Sequence, residues 1–465
     1  MASGKMKRWT VLIIVATVMM MGYVFWDIVS PLSTTLKAPI TEGGMAWSAE
    51  EYGFYAGSYS IFNIFLLMLF IGGIILDKTG IRFTGLLATG MMMMGALTNY
   101  YALSHISPHE NTTLQFTLFG LIPEHIKTQV LIAAFGFGIF GVGCDLTGIT
   151  VSKIVTKWFT GHELASAMGI QVAMARLGTA SAISFSPLIA QQTGIAIPFL
   201  VGAALLVLAF ILFIIYVGMD IRQDTHGKLN EGDSDKPLEK GYTLKSCLVN
   251  LASNRGYWLI ALLCVCFYSS LRPFLKFATD VLVNKYHISE VSAGLIVSLL
   301  PYGTIVLTPL FGNLYDRIGR GASLMLCGCI ILTACHIGLI IPWINATWYA
   351  TIIMILMGVS FSLVPSAMWP SVPKIVPLQQ LGTAYSIIYY IQNIGLMLVP
   401  MWAGNLIGAH TSSAGHTDFT VPMLVFICFG VASIILSAIL LWFDHRYHYG
   451  LEKANIISNE ELGLP

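Results

Sequence analysis

Charged residues are scarce in this chain. Of its 465 residues only 10% are Asp, Glu, Lys or Arg, whereas 56% are hydrophobic, and the mean hydropathy is +0.76. A soluble domain carries roughly 25% charged residues. The formal net charge is +1, so the chain also lacks the positive field that attracts nucleic acids. This composition argues against a soluble enzyme and against a nucleic-acid-binding protein, and it indicates that most of the surface faces lipid.

Metal-binding and catalytic patterns are also missing from the sequence. Most of the 8 cysteines lie within apolar segments, where a free thiol packs as a small hydrophobic group. The two C-x-C pairs, Cys264/Cys266 and Cys327/Cys329, have no His-rich loop beside them. The sequence contains no nucleophile–base pattern and no phosphate-binding loop. We therefore expect no enzyme activity, no metal and no other cofactor.

Long apolar segments recur along the whole chain. A helix needs about 20 mostly apolar residues to cross a bilayer. Twelve such windows are present, at about 8–30, 51–76, 84–104, 128–157, 162–189, 194–219, 256–282, 289–314, 321–342, 347–371, 380–408 and 418–443. The first window is too long for a signal peptide and lacks an A-x-A-like cleavage site, so we expect it to be retained. The sequence predicts an all-α integral membrane protein with twelve transmembrane helices.

The basic residues indicate how the helices are oriented. An even number of helices places both ends of the chain on one side of the membrane. Of the 24 Lys and Arg residues, 17 fall on that side, 4 lie within helices, and only Lys37, Lys127 and Lys285 fall on the opposite side. Because Lys and Arg accumulate in cytoplasmic loops, we expect both termini to be cytoplasmic.

One hydrophilic stretch divides the windows into two sets of six. Residues 220–255 are rich in charge and follow the sixth window, as expected of a cytoplasmic linker. The predicted domains are therefore an N-terminal six-helix bundle (1–219), the linker (220–255), a C-terminal six-helix bundle (256–445) and a cytoplasmic tail (446–465).

The two predicted bundles carry matching loops. The end of the second window leads into GIILDKTGIR, from Gly73 to Arg82, and the end of the eighth leads into GNLYDRIGR, from Gly312 to Arg320. The aspartates of the two loops are 239 residues apart, close to half of the chain, as expected of an internal duplication. The loops resemble a known transporter signature, and this resemblance implies gating and packing roles, rather than ligand contacts, for Gly73, Asp77, Lys78, Gly80, Arg82, Gly312, Asp316, Arg317, Gly319 and Arg320.

These loops resemble the signature of the major facilitator superfamily, G-x-x-x-D-[RK]-x-G-[RK]. The second copy fits fully, and the first departs at its last position, where Ile81 precedes Arg82. The resemblance covers essentially the whole chain. It implies the major facilitator fold, in which two pseudo-symmetric six-helix bundles enclose a central site.

A few ionisable residues fall within the predicted helices, where each costs roughly 2.5–3.5 kcal/mol on insertion scales. They are Asp27, Asp145, Lys153, Arg176, Arg272 and Lys276. Asp145 and Arg176 lie at mid-helix and cannot reach the headgroups. They are predicted either to form a structural ion pair or to bind a zwitterion, the carboxylate holding an ammonium group and the guanidinium a carboxylate.

Arg272 and Lys276 are four residues apart, so they share one face of the seventh helix. They indicate an anionic ligand group or an acidic partner from the N-terminal bundle. Asp27 and Asp145 are the only carboxylates well inside the windows and are therefore the candidates for proton coupling. Buried phenol, indole and amide groups that could line a cavity, or join helices to one another, are Tyr59, Asn63, Tyr268, Trp369, Tyr390, Gln392 and Asn393.

Several local strings resemble a narrower group, the lysosomal dipeptide uniporters and their prokaryotic relatives. They include YAGSYSIFN from Tyr55, Trp158-Phe159 with Arg176 seventeen residues later, and AMWPSVP from Ala367. The resemblance implies that an acidic residue on the fourth helix and an arginine on the fifth hold the two ends of a dipeptide. Asp145 and Arg176 occupy these positions, with aspartate in place of the family's glutamate.

The sequence therefore predicts a transporter for a small polar solute, a dipeptide or amino-acid-like zwitterion, that works by alternating access. The alternative is an organic-anion carrier that uses Arg176, Arg272 and Lys276. We expect a monomer in a plasma or bacterial inner membrane, with the bilayer and a small-molecule substrate as its partners. No acidic-dileucine sorting signal is evident near the N-terminus, and the sequence does not indicate an accessory membrane subunit.

Overall fold

Helices dominate the structure. The computed structural model describes residues 2–114, 117, 120, 122–159, 163–226, 244–377, 380–412 and 417–454. The helices are α1 (Ala2–Asp27), α2 (Ser33–Lys37), α3 (Ala49–Ser58), α4 (Ile61–Phe65), α5 (Met68–His105), α6 (Thr128–Phe159), α7 (Leu164–Thr193), α8 (Ala196–His226), α9 (Leu244–Ser253), α10 (Arg255–Tyr286), α11 (Glu290–Ile318), α12 (Gly321–Ile340), α13 (Thr347–Ile375), α14 (Leu381–Ala409) and α15 (Thr420–Tyr447). Two strands, β1 (Asn111–Thr113) and β2 (His125–Lys127), form an antiparallel pair in the loop between α5 and α6.

The predicted membrane helices are confirmed except for one. In the described part of the chain, 11 helical segments are long and apolar enough to cross a membrane. The window predicted at 51–76 is wrong as a single continuous helix, because the chain there forms α3, α4 and the first turns of α5. Leu67, at the start of α5, has a left-handed φ of 51°.

Side chains satisfy the polar backbone groups at these breaks. Ser58 Oγ donates to the Tyr55 carbonyl at 2.7 Å, and Tyr390 Oη of α14 donates to the Ile64 carbonyl at 3.4 Å. A broken helix at membrane depth is tolerated only where neighbouring groups replace its lost hydrogen bonds. Hydropathy alone did not reveal the break, since the segment is apolar on average despite polar residues such as Ser58, Ser60 and Asn63.

The helices form two bundles, α1–α8 and α10–α15. The bundles meet where α3 packs on α14 and α7 packs on α11. We call the end that carries the starts of α1, α7 and α10 the terminal face, and the opposite end the far face. Of the stretch 220–255, residues 227–243 lie outside the described residues, while α8 extends into it as far as His226 and α9 forms within it.

The matching loops lie at the terminal face and share one backbone feature. Gly80 and Gly319 both have positive φ, at 79° and 67°. This conformation is accessible to glycine without strain, so the repeated sequence forms a repeated turn. A Cβ at Gly73 or Gly312 would meet open space, so neither glycine is required for a close helix contact in this structure.

Different partners hold the two loops in place. In the first bundle, Arg82 Nε lies 2.7 Å from the buried carboxylate of Asp220, which also lies 3.0 Å from Lys157 Nζ. In the second bundle, the Glu452 carboxylate accepts from the backbone and hydroxyl of Ser323 at 2.9 and 2.8 Å. The start of the predicted tail therefore packs on the second loop. Residues 455–465 and the Asp77 side chain lie outside the described parts.

Candidate functional site

Asp145 lies in the middle of α6 and faces the broken second membrane segment. Its two carboxylate oxygens accept from Tyr59 Oη and Asn63 Nδ2, each at 2.7 Å. Gly141, one turn earlier on α6, allows this approach, because a Cβ there would lie 2.0 Å from the Tyr59 carbonyl. The carboxylate is therefore held by two neutral donors and remains partly exposed.

Two aromatic rings line the space between the bundles. The Trp26 indole stacks on the Tyr59 ring, with centroids 4.2 Å apart and planes 4° from parallel. Arg272 of α10 places its guanidinium carbon 5.1 Å from the Trp26 ring and 5.2 Å from the Phe361 ring. Arg176 of α7 approaches the same Phe361 ring at 4.4 Å. Both arginines thus reach across from one bundle to an aromatic ring of the other.

Asp145 and Arg176 do not form an ion pair with each other. Within the described residues, neither side chain lies within 4.0 Å of an opposite charge. The structural pair that the sequence left open is therefore absent from this structure.

Lys276 does have an acidic partner, and it comes from the other bundle. Its Nζ lies 2.9 Å from Asp27 Oδ1 and donates to the Trp26 carbonyl at 2.8 Å. Both side chains are buried, at 7% and 2% exposure. Arg272 lies farther from Asp27, with 3.9 Å between Nη1 and Oδ2. The pair joins α1 to α10 on the far-face side of the aromatic rings.

More contacts between the bundles follow at the far face. Lys37 pairs with Asp280, and the Thr35 hydroxyl donates to Glu290. Tyr52 Oη donates to the backbone carbonyl of Lys276 at 2.6 Å. Beside Asp27 and Lys276, the space open to a water-sized sphere is only about 20 Å³, room for about one or two waters. The site is therefore closed toward the far face.

The other predicted lining residues form a second polar group on α10, α13 and α14. Trp369 Nε1 donates to Tyr268 Oη at 3.3 Å, and Ser60 Oγ donates to Asn393 Oδ1 at 2.6 Å across the two bundles. Gln392 accepts from the Cys264 thiol at 3.6 Å. Tyr390 bonds to the backbone of α4 and therefore lies at the contact between bundles. Several of these side chains therefore join helices to one another, which is the alternative role that the sequence left open for them.

Sequence reasoning did not identify Trp26 and Phe361 as site residues. Trp26 directly precedes Asp27, and Phe361 lies eight residues before Trp369, which corresponds to about two helical turns. That spacing was the only available signal for Phe361. An aromatic side chain in a membrane helix is so common that its type alone does not distinguish a site residue from a lipid-facing one.

The family model of the Major Facilitator Superfamily matches residues 11–279 and 274–455. The chain belongs to this superfamily. Its members are membrane transporters rather than enzymes, and the two bundles are the halves of the superfamily fold.

Similar proteins include two carriers of the same name. The lysosomal dipeptide transporter MFSD1 of Bos taurus is 26% identical over 410 residues, which cover 86% of this chain and 79% of that protein. MFSD1 of Gallus gallus is 29% identical over 311 residues, which cover 63% of this chain and 68% of that protein.

Solved structures share the fold at low identity. The nucleoside transporter NupG aligns with a TM-score of 0.64 and 13% identity, covering 93% of this chain and 98% of that chain. A bacterial homolog of the human lysosomal transporter Spinster, in an inward-facing and occupied conformation, aligns with a TM-score of 0.66 and 12% identity, covering 94% and 97%. At such identities the likeness concerns the fold alone.

Proposed function

We propose that this chain transports a dipeptide or amino-acid-like zwitterion by alternating access. The observation that carries the proposal is the separation of Asp145 from Arg176. Arg176 lies against Phe361 of the other bundle, Asp145 is partly exposed, and neither has an ionic partner within 4.0 Å among the described residues. A charge inside a membrane protein normally has such a partner, and a zwitterionic substrate supplies both. The similarity to the lysosomal dipeptide transporter MFSD1 supports the same substrate class.

In this proposal the two ends of the substrate bind different elements of the site. The ammonium group binds the Asp145 carboxylate, which Tyr59 and Asn63 orient, and the carboxylate forms paired hydrogen bonds with the Arg176 guanidinium. The stacked rings of Trp26 and Tyr59 contact the middle of the substrate. Tyr268, Trp369, Gln392 and Asn393 complete the lining on the C-terminal bundle.

Transport then requires the far face to open and the terminal face to close. We assign Asp27 and Lys276 to the far-face closure rather than to the ligand, because they already neutralise each other. The loops around Gly80 and Gly319 serve as the turns about which the terminal face closes. A site contained within one chain supports a monomeric carrier.

Orientation and location are part of the proposal. The excess of Lys and Arg at the terminal face supports cytoplasmic termini, which places the closed far face on the opposite, non-cytoplasmic side of the membrane. We propose a plasma or bacterial inner membrane, although the MFSD1 relatives are named as lysosomal.

Of the two candidate carboxylates for proton coupling, Asp145 is the better placed. Its partners are the neutral groups of Tyr59 and Asn63, so its protonation breaks no ion pair. Protonation of Asp27 would leave the buried Lys276 ammonium without its counter-charge.

A second candidate function is an organic-anion carrier. Arg176 and Arg272 lie against the same Phe361 ring, so two guanidinium groups face one space. A carboxylate or sugar acid without an ammonium group would bind there and leave Asp145 unused.

Uptake by purified protein in liposomes tests the proposal. We expect labelled dipeptides to enter, and we expect Arg176→Ala to abolish uptake while the melting temperature in detergent stays nearly unchanged, because Arg176 has no ion pair to lose among the described residues. Arg222→Ala, at an exposed position on α8, is the matched control and should transport normally. A large fall in melting temperature for Arg176→Ala would instead indicate a structural role.

Competition separates the two candidate functions. Unlabelled dipeptides should reduce the uptake of a labelled dipeptide. Uptake that only dicarboxylates can support or inhibit would exclude the dipeptide proposal and favour the anion carrier.

A further inference from the structure

The charges around the Trp26, Tyr59 and Phe361 rings do not balance. Three basic groups, Arg176, Arg272 and Lys276, face two carboxylates, Asp27 and Asp145. Lys276 and Asp27 neutralise each other at 2.9 Å. The remaining groups are one carboxylate and two guanidinium groups, so the site has one positive charge in excess.

Arg272, like Arg176, lacks a hydrogen-bonded carboxylate among the described residues. Its closest carboxylate oxygen, Asp27 Oδ2, is 3.9 Å away, beyond hydrogen-bonding distance. Within the described residues Arg272 donates no hydrogen bond, and Asp27 Oδ2 accepts none. The side chain is only 10% exposed and lies between the Trp26 and Phe361 rings. Aromatic contacts hold the guanidinium plane in place but do not supply a negative charge.

A neutral dipeptide cannot correct this imbalance. Its ammonium group matches Asp145 and its carboxylate matches one arginine, which leaves the other guanidinium unmatched when the bundles close around it. An unpaired buried charge is strongly unfavourable. A second carboxylate on the substrate removes the imbalance, because Arg176 and Arg272 approach the same Phe361 ring, at 4.4 and 5.2 Å, and can each bind one carboxylate of a small molecule.

We propose that the preferred substrates are dipeptides with one acidic side chain, and that Arg272 determines this preference. The inference rests on the proposed dipeptide function. It adds the substrate's net charge of −1 and assigns Arg176 and Arg272 to its two carboxylates.

Two dipeptides of equal shape test the preference. Ala-Glu and Ala-Gln differ by one charge at the same side-chain length. Isothermal titration with the purified full chain should give a Kd for Ala-Glu at least tenfold below that for Ala-Gln, a difference of about 1.4 kcal/mol. Ala-Lys should bind more weakly than either dipeptide.

The variant Arg272→Gln tests whether Arg272 causes the preference for the acidic dipeptide. It should weaken Ala-Glu binding at least tenfold and change Ala-Gln binding less than threefold, so that the discrimination largely disappears. Arg222→Gln is the same substitution at an exposed position of α8 and should leave both Kd values unchanged. If Arg272→Gln is poorly folded, Arg272→Lys keeps the charge without the guanidinium plane and should still favour Ala-Glu.

The outcomes distinguish this inference from the function on which it rests. Equal or tighter binding of Ala-Gln by the wild-type protein would overturn the charge preference and leave dipeptide transport intact. Binding of glutarate without binding of any dipeptide would overturn both and point to the anion carrier. Retained discrimination in Arg272→Gln would overturn the assignment to Arg272.

Discussion

At the scale of single residues, charges that look alike in the sequence have different surroundings. Arg272 and Lys276 share a helical face, and the sequence offered an anionic ligand or an acidic partner for both. Lys276 has its acidic partner in Asp27, whereas Arg272 lies mainly against aromatic rings. The difference arises because α1 ends at Asp27. The Asp27 carboxylate lies within hydrogen-bonding distance of Lys276 but not of Arg272, which is one helical turn away on α10.

The buried pair between Asp27 and Lys276 gives a prediction for stability. Lys276→Met should lower the free energy of unfolding by about 3–5 kcal/mol, because it leaves the buried carboxylate without its partner. Asp27→Asn combined with Lys276→Met should restore much of the loss. The measurement is thermal and denaturant unfolding in detergent.

An exposed pair of the same type provides the control for that experiment. Lys5 and Glu163 lie 3.1 Å apart with side chains 60% and 43% exposed. Lys5→Met should therefore cost less than about 1 kcal/mol. A cost for Lys276→Met as small as that for Lys5→Met would show that the buried pair does not stabilise this state.

At the scale of helices, the contact between α3 and α14 closes the far face. Gly53 and Gly404 face each other there, and a Cβ on Gly404 would lie 2.5 Å from the Ala49 carbonyl and 2.8 Å from Gly53 Cα. Small residues allow membrane helices to approach this closely. Because the segment is broken after α3, α3 packs on α14 while Tyr59 and Asn63, which follow it, contact Asp145.

Enlarging this contact should hold the far face open. Gly404→Val forces α14 away from α3, so we expect uptake to fall at least tenfold while the protein remains folded. The distance between spin labels at the far-face ends of α3 and α14 should increase. Gly148→Val is the control, since a Cβ on Gly148 would meet open space. An unchanged label distance together with normal uptake would contradict this account of closure.

At the scale of the whole molecule, the ion pairs that cross between the two bundles among the described residues lie toward the far face. The pairs Lys37–Asp280 and Asp27–Lys276 cross between them there, as does the hydrogen bond from Thr35 to Glu290. At the terminal face each bundle instead binds its own loop, through Asp220 in one and Glu452 in the other. Which compartment the closed far face borders depends on the orientation in the membrane.

Reporter fusions in a bacterial host test that orientation. Green fluorescent protein at the C-terminus should fluoresce, and alkaline phosphatase at the same point should be inactive, because a cytoplasmic terminus suits the first reporter and not the second. Insertion of each reporter at the exposed His109 of the far-face loop should give the reverse result. Active phosphatase at the C-terminus would contradict the orientation that we derive from the basic residues.

Much of the fold follows from the sequence, and less of the site does. Apolar length placed most of the membrane helices, and the repeated loops around Gly80 and Gly319 indicated two related halves. Their positions in the middle of membrane helices predicted Asp145 and Arg176 as site residues. The break before α5 did not follow from the sequence, because a straight and a broken helix can have the same hydropathy. The roles of Trp26 and Phe361 did not follow either, because aromatic residues are common in membrane helices.

The sequence by itself determined that this chain is a membrane protein and a helical carrier with two related halves. It also determined which few charged residues fall within the membrane helices. Those conclusions depend on composition, length and spacing and, for the carrier function, on the resemblance of the repeated loops to the superfamily signature. The tertiary structure decided which charges are matched, pairing Lys276 with Asp27 and leaving Asp145, Arg176 and Arg272 facing the space between the bundles. Charge compensation acts over a few ångströms between residues far apart in the chain, so only the packing of the two bundles could reveal it.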